Sequence, residues 1–370
     1  MFNIIVPGIF HYKYYIEYFS EDDNLKKFIY SHKINSNFLD GSGKETNLFL
    51  RENFLQFFIK IFGAKYCYRK IFFFDMLWSL STRFISPCKV NLVLMQGNSN
   101  SLIKRLALHG HVVGEAVNIH PTEMLKLLNE DKLFHGIDFF WSETVYRNKL
   151  REIQNVDYIL APSMCVKESY IKHGFDKNKI FLIPYGVSFS NTSSVAIPTG
   201  SKLKIVVVGQ VFPRKGHYYL LKSIQKLSLN LDLDLHFIGL ADKQYMDVLS
   251  SIGVDFTYHG SLSHSVVLDF ISSSDISVLP SIEDGFGMVA MESIQMGVPV
   301  IVSKFAGASD IISRYGGGVV YDPLSSNGFE TSLQKIISGR FSRDCHDIPT
   351  WSDYAIQLKE LLKNINEDCH

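Results

Sequence analysis

Short β-branched runs and amphipathic stretches alternate through the second half of the chain. The runs KIVVVGQ, LHFIGL, ISVLPS, VPVIVS and GGVVYD are apolar along most of their length, as strands buried on both faces of a parallel sheet must be. Between them HYYLLKSIQKL, YMDVLSSIG, VVLDFISSS, MVAMESIQMG and ASDIISRYG carry apolar residues at helical spacing. This alternation predicts a doubly wound α/β domain over residues 198–345. The first half repeats the theme in NIIVPG, NLVLMQG, HVVGEAVNI, YILAPS and IFLIPYG, with helical patterns in TEMLKLLNE and CVKESYIKHG. It predicts a second such domain over residues 1–190. The polar, small-residue stretch SFSNTSSVAIPTGS reads as the linker, and residues 346–370 as a terminal helix that crosses back to the first domain. Two such domains would face each other across a cleft at strand C-termini, where α/β folds bind ligands.

Composition adds bounds. The 370 residues are 46% hydrophobic and 20% charged, which places the chain among folded globular proteins. Net charge is zero, but the first 185 residues hold 23 Lys+Arg against 18 Asp+Glu, a mild bias toward an anionic surface or substrate. Five scattered cysteines lack metal-ligand spacing, so free thiols in a reducing compartment are expected. The start MFNIIVPGIFHY has no basic leader, and no stretch reaches the roughly 18 apolar residues of a spanning helix. The expected location is cytoplasmic, at most peripheral on the inner membrane face.

Candidate chemistry concentrates in SIEDGFGMVAMESIQMGVPVIVS, where Glu283, Asp284 and Glu292 stand among apolar residues. EDGFG joins a strand end to a helix start. Gly285 and Gly287 allow close backbone approach there, and the helix N-terminus offers free N–H groups to an anion such as phosphate. Glu292, in the second turn, has reach for hydroxyls of a ligand lying beside the helix. The alternative is a turn with solvated acids. In VVVGQVFPRKGHYYLL a second loop carries Gly209 and then Arg214 and Lys215 just ahead of a helix. Two cations there suit a diphosphate, although a lysine before a helix is often only solvated. Neither G-x-G-x-x-G nor G-x-x-x-x-G-K-[ST] is present.

Taken in order, VDYILAPS, IPYGV, VVVGQ…RKG, HFIGL, HGSLSH, PSIEDGFGMVAMES…MGVPVI, GGGVVYDP and TWSDYAIQLKELL resemble the retaining GT-B glycosyltransferases of glycosyltransferase family 4. The resemblance runs from about residue 155 to the end and is thinner before it. It implies two Rossmann-like domains and transfer of a sugar from a nucleotide diphosphate, UDP- or GDP-linked, to a hydroxyl of a saccharide acceptor. In the family two acids eight positions apart bracket the glycine loop. Here they are Asp284, a shorter substitute for the usual glutamate, and Glu292.

By the resemblance Asp284 meets a donor-sugar hydroxyl and Glu292 the ribose. The backbone of Gly285, Phe286, Gly287, Met288 and Val289 faces sugar and diphosphate, and Lys215 takes phosphate. The family's arginine after the first strand's glycine is Gln210 here, and Arg214 is the candidate to restore that charge. From the first domain, His120 in GEAVNIHP is expected near the donor sugar, with a structural hydrogen bond as its alternative. Gly8 in VPGIFHY is expected in the loop that approaches donor phosphates or acceptor, and His11 beside it is read as an ordinary loop residue.

No cofactor or metal is required in that scheme. The one D-x-D, Asp232-Leu233-Asp234, lies at a strand entry and reads as solvated. The aromatic segment 54–84 carries Lys60, Lys65, Arg69, Lys70 and Arg83. It is either core helices or a surface for an anionic leaflet bearing a lipid-linked acceptor. It lacks the concentrated basic run of a nucleic-acid binder. The family's common bacterial use suggests envelope polysaccharide, O-antigen or capsule. Rival readings are a sugar-nucleotide epimerase on the same fold and a non-catalytic partner subunit.

Overall fold

The computed structural model describes residues 1–8, 10–32, 38–39, 42–62, 71–97, 99–130, 143–188, 194–199, 202–229, 231–345 and 347–367. Lys65, Arg69, Lys70, Cys67, Cys369 and the linker positions 189–193 and 200–201 lie outside them.

The first domain is a sheet of seven strands: β1 (Phe2–Val6), β2 (Leu25–Tyr30), β3 (Glu45–Asn47), β4 (Val90–Leu94), β5 (His111–Glu115), β6 (Tyr158–Ala161) and β7 (Ile180–Leu182). Their order is β3-β2-β1-β4-β5-β6-β7, with every pair parallel. The second sheet has β8 (Lys202–Val208), β9 (Asp232–Ile238), β10 (Thr257–Tyr258), β11 (Ile276–Leu279), β12 (Val300–Ser303) and β13 (Gly318–Tyr321). It is ordered β10-β9-β8-β11-β12-β13 and is again parallel. Both orders reverse direction at the first strand of the domain, between β1 and β4 and between β8 and β11. Such reversals open a crevice at strand C-termini. The fold is therefore the expected pair of doubly wound α/β domains.

Helices on both faces explain the apolar runs, since every residue of β1, β4, β11 and β12 is buried. β2 contains Lys26 and Lys27, and edge strand β3 is polar throughout, so neither shows an apolar run. The helix Gly328–Ile337, also absent from the sequence reading, buries Phe329, Leu333 and Ile336.

Two stretches cross between the domains side by side. Val187 pairs with Thr350, and a Cβ on Gly186 would stand 2.2 Å from the Thr350 carbonyl carbon. The expected linker is not a loose tether where it is described. Val195 is fully buried and donates its N–H to the Arg343 carbonyl, 3.1 Å. After the crossing the helix Trp351–Glu367 lies on the first domain. Thr350 caps it reciprocally with Asp353, its hydroxyl accepting from the Asp353 amide at 3.2 Å while that carboxylate accepts the Thr350 amide at 2.8 Å. Trp351 stacks on Tyr14 at 5.3 Å, Tyr354 packs on Tyr15 at 4.8 Å, and Lys359 donates to the Tyr18 carbonyl. Among the described residues no helix is long and apolar enough to cross a membrane.

Candidate active site

The crevice at the β8/β11 reversal is built by the two loops the sequence singled out. After β8 the chain passes Gly209 and Gln210 into a 3-10 turn, Pro213–Lys215, ahead of the helix His217–Gln225. After β11 it runs through Glu283 and Asp284 to Gly287, which caps the helix Met288–Gln295 in the left-handed region at φ 88°, where a side chain would be strained. Two parallel ion pairs lace the loops together. Lys215 Nζ meets Asp284 Oδ2, and Arg214 meets Glu283 Oε2 at 3.3 Å. The Arg214 carbonyl also accepts from the amides of Ile282, 2.9 Å, and Glu283, 3.3 Å.

Burial, and then the charge of Arg214, push the Lys215 ammonium below its usual range, against the pull of Asp284. For Asp284, burial works to raise the pKa, but Lys215, Arg214 and the Phe286 amide hold it below the usual carboxylate value. Arg214, expected to make up for Gln210, spends its guanidinium on the carboxylate and carbonyl of Glu283. Met288 and Val289 open the helix, so their N–H groups have no intrahelical acceptor and carry the positive end of its dipole. One turn on, Glu292 Oε1 lies 3.0 Å from His264 Nε2, with the carboxylate 20% exposed. The D-x-D lies at the far end of β9 from this crevice, with Asp234 paired to Lys202 at 3.9 Å and His236 at 3.3 Å.

The first domain meets the acid–glycine loop directly. A Cβ on Gly285 would stand 1.9 Å from the Val117 carbonyl oxygen, so only glycine permits this approach. Ser163 Oγ donates to the Gly285 carbonyl at 2.7 Å, the Met164 amide to Asp310 at 2.8 Å, and Asn118 Nδ2 to Glu283 Oε1 at 3.3 Å. Asn118 was absent from the sequence-derived set, as was Lys149. The Lys149 ammonium is buried, which lowers its pKa to about 8 against the pull of Glu152 and Glu283.

His120 is buried, its ring stacked on His173 at 4.4 Å and edge-on to Tyr170 at 5.1 Å. Its Nδ1 accepts the Thr122 amide at 3.3 Å. Gly8 follows β1, with the Phe10 ring 2.4 Å from where its Cβ would be. His11 is not an ordinary loop residue. Its Nε2 lies 2.6 Å from Oε1 of the buried Glu115, which also accepts from Tyr12 and, at 2.9 Å, from Tyr185. Burial favours a protonated Glu115, but His11 and these hydrogen bonds hold its pKa below the usual value. The Tyr185 ring meets Phe286 edge-on at 5.2 Å, which joins this cluster to the acid–glycine loop.

Burial also predicts acid sensitivity. It lowers His120 to about 4 and His217 to about 3, whereas an unfolded histidine titrates near about 6.5. The unfolded chain therefore takes up these protons first as pH falls, and stability declines from about 6.5 downward until the folded values are reached. Each unit of displacement is worth about 1.4 kcal/mol. Neither ring nitrogen of His217 has a hydrogen-bond partner among the described residues, and Phe237 and Tyr245 flank it. His217→Phe should thus flatten the fall in Tm between pH 7 and 5. An unchanged slope would refute the assignment.

Residues 192–348 match the family model described as "Glycosyl transferases group 1". An uncharacterized 41.2 kDa protein in the cps region of Klebsiella pneumoniae is 24% identical, over 60% of this chain and 62% of that one. A lipopolysaccharide 1,2-N-acetylglucosaminetransferase of Salmonella typhimurium is 24% identical, over 43% of this chain and 48% of its own length. The chain spans between 46% and 63% of the first curated relatives it matches. Among solved structures, the apo form of the lipopolysaccharide outer core galactosyltransferase WaaB superposes with a TM-score of 0.62 at 17% identity, covering 98% of this chain and 99% of that one. That likeness is one of fold, two Rossmann-like domains in the GT-B arrangement.

Proposed function

We propose that this GT-B chain is a retaining glycosyltransferase of family 4 type. It moves a sugar from a nucleotide-diphosphate donor to a hydroxyl of a saccharide acceptor in bacterial envelope polysaccharide synthesis. The observation that carries the reading is the Lys215–Asp284 pair at the β8/β11 reversal, beside the helix opened by Gly287. An arriving diphosphate takes Lys215 and the amides of Met288 and Val289. Asp284, released from its partner, then accepts a hydroxyl of the donor sugar, and Glu292 accepts from the ribose. As the glycosidic bond breaks, charge grows on the leaving diphosphate, where these fixed donors stabilise it most. With Nδ1 accepting from Thr122, His120 carries its proton on Nε2, a neutral donor for a sugar hydroxyl. The Klebsiella and Salmonella relatives support the envelope assignment.

The test is a thermal-shift panel of UDP-, GDP- and dTDP-sugars, followed by donor hydrolysis or transfer. Stabilisation by one donor class, with turnover that survives excess EDTA, is expected. A chain that binds none of them is a partner subunit or an unrelated binder, and turnover abolished by EDTA overturns the metal-free scheme.

The acceptor is proposed to be lipid-linked, with the chain docked on an anionic leaflet. The helix Phe49–Phe62 exposes Phe54, Phe57 and Ile61 by 53%, 57% and 54%, at spacings that share one face, with Lys60 exposed beside them. From residue 53 to 74 the sequence holds four cations and no acid. Full burial of each such apolar side chain is worth about 1.5–3 kcal/mol. Changing Phe54, Phe57 and Ile61 together to serine should abolish co-sedimentation with phosphatidylglycerol vesicles and leave UDP-sugar binding intact. Retained sedimentation would remove the membrane from the proposal.

A further inference from the structure

Glu283 stands one residue ahead of the acid that the family resemblance singles out, and its setting differs from that of Asp284. Its side chain is 1% exposed. A carboxylate removed from water is costly unless it is paired and hydrogen-bonded, and Glu283 is both. Oε2 takes Arg214 at 3.3 Å from the β8 loop of its own domain, while Oε1 takes Asn118 Nδ2 at 3.3 Å from the exit of β5 in the other. Lys149 and Tyr146, on the helix Glu143–Ile153 of the first domain, lie within its field. Around it Gly285 abuts Val117, Ser163 holds the Gly285 carbonyl, and Asp310 holds the Met164 amide. Of these contacts, the one at Glu283 ties the first domain to a cation of the β8 loop. That cation adjoins Lys215 in the same short 3-10 turn.

We propose that Glu283 is a positioning residue: through Arg214 it sets the direction of Lys215, and through Asn118 it makes that setting depend on closure of the first domain over the acid–glycine loop. This rests on the nucleotide-sugar reading above. Arg214 is then the arm of the device and no substitute for the arginine replaced by Gln210. When the domains part, Glu283 loses Asn118 and gains water, its hold on Arg214 weakens in the higher dielectric, and the Pro213–Lys215 turn is freer to move. The diphosphate is held for reaction only when the domains are shut and water is excluded from the bond being broken. A donor bound to the open form stays intact.

The test compares Asn118→Ala, Asn118→Gln, Glu283→Gln and the Asn118→Ala/Glu283→Gln pair. UDP affinity is measured by calorimetry, Tm by unfolding, and kcat and KM by hydrolysis of the UDP- or GDP-sugar that stabilises the wild type. Asn118→Ala should lower kcat about tenfold with KM and UDP affinity nearly unchanged, and Tm should fall only modestly because Glu283 keeps its Arg214 partner. Asn118→Gln, which keeps an amide donor, should recover part of it. Glu283→Gln should fall similarly, and the double variant no further, because both changes cut one connection. If kcat is unchanged, falls in step with Tm, or falls multiplicatively in the double variant, the positioning role is overturned.

Where hydrolysis is too slow to read, small-angle scattering with donor bound replaces it. The wild type should contract and Asn118→Ala should not; equal radii overturn the role. A wild type that binds no nucleotide sugar defeats the underlying reading. A wild type that binds one, alongside an Asn118→Ala variant indistinguishable from it, defeats only the role of Glu283.

Discussion

Lys215→Ala is expected to weaken UDP binding about ten- to a hundredfold, the loss of a charge-assisted contact worth about 1.5–3 kcal/mol, and to leave uridine affinity nearly unchanged. The contrast follows from what the lysine faces. Its ammonium sits against Asp284 at the mouth of the β8/β11 crevice, where a diphosphate would meet it and a nucleoside alone would not. The same change strands a carboxylate that is 14% exposed, and removing one partner of a buried pair typically costs about 3–5 kcal/mol of stability. A fall in Tm is therefore part of the expectation. Lys215→Ala with Asp284→Asn separates the two effects: neutralising the acid should restore much of the Tm and none of the UDP affinity. Equal weakening of UDP and uridine, or recovery of UDP binding with Tm, would make Lys215 structural. The sign of the Asp284 contribution gives a further control. Its folded pKa is depressed, so the stability it adds is present above the unfolded carboxylate value of about 3.9 and is lost as pH falls below it. Binding compared at pH 7 and above is not confounded by that loss.

What the sequence revealed and what it hid divide along sequence separation. The apolar runs of β1, β4, β8, β11 and β12 were legible because strands covered on both faces leave a near-continuous hydrophobic signature, which β9 shows only toward its end at Phe237 and Ile238. β2 and β3 lay beyond that signal, one carrying Lys26 and Lys27 and the other made of Glu45, Thr46 and Asn47. The EDGFG loop was legible as an anion-binding device from local chemistry alone, glycines ahead of a helix start. What its acids hold was not. Lys215–Asp284 and Arg214–Glu283 each join residues 69 positions apart, and Asn118–Glu283 joins residues 165 apart. No periodicity encodes such pairs. Arg214 therefore looked available for phosphate although a buried glutamate holds it. His11 looked like an ordinary loop residue for the same reason, since Glu115 lies on β5 and Tyr185 at the crossing between the domains. The positions themselves were informative, and the pairing was supplied by the tertiary fold.

Glu292→Ala should reduce affinity for a nucleoside diphosphate about ten- to a hundredfold, and for the nucleoside by a similar factor, in contrast to the phosphate-selective loss expected at Lys215. The carboxylate lies in the second turn of the helix Met288–Gln295, eight positions beyond Asp284. At that distance along the helix a ligand whose phosphates meet the helix start can bring its ribose alongside. A charge-assisted hydrogen bond there is worth about 1.5–3 kcal/mol. His264, 52% exposed and 3.0 Å away, is the partner the ribose would join or displace. An exposed pair of this kind adds little to stability, so Tm should barely move, and the affinity loss cannot be laid to unfolding. A ribose hydroxyl is common to UDP and GDP, so both should weaken alike in calorimetry. Loss confined to one base would place Glu292 at the base instead of the sugar. Unchanged affinity for both, with the fold intact, would remove it from the donor site and leave it only the exposed contact with His264.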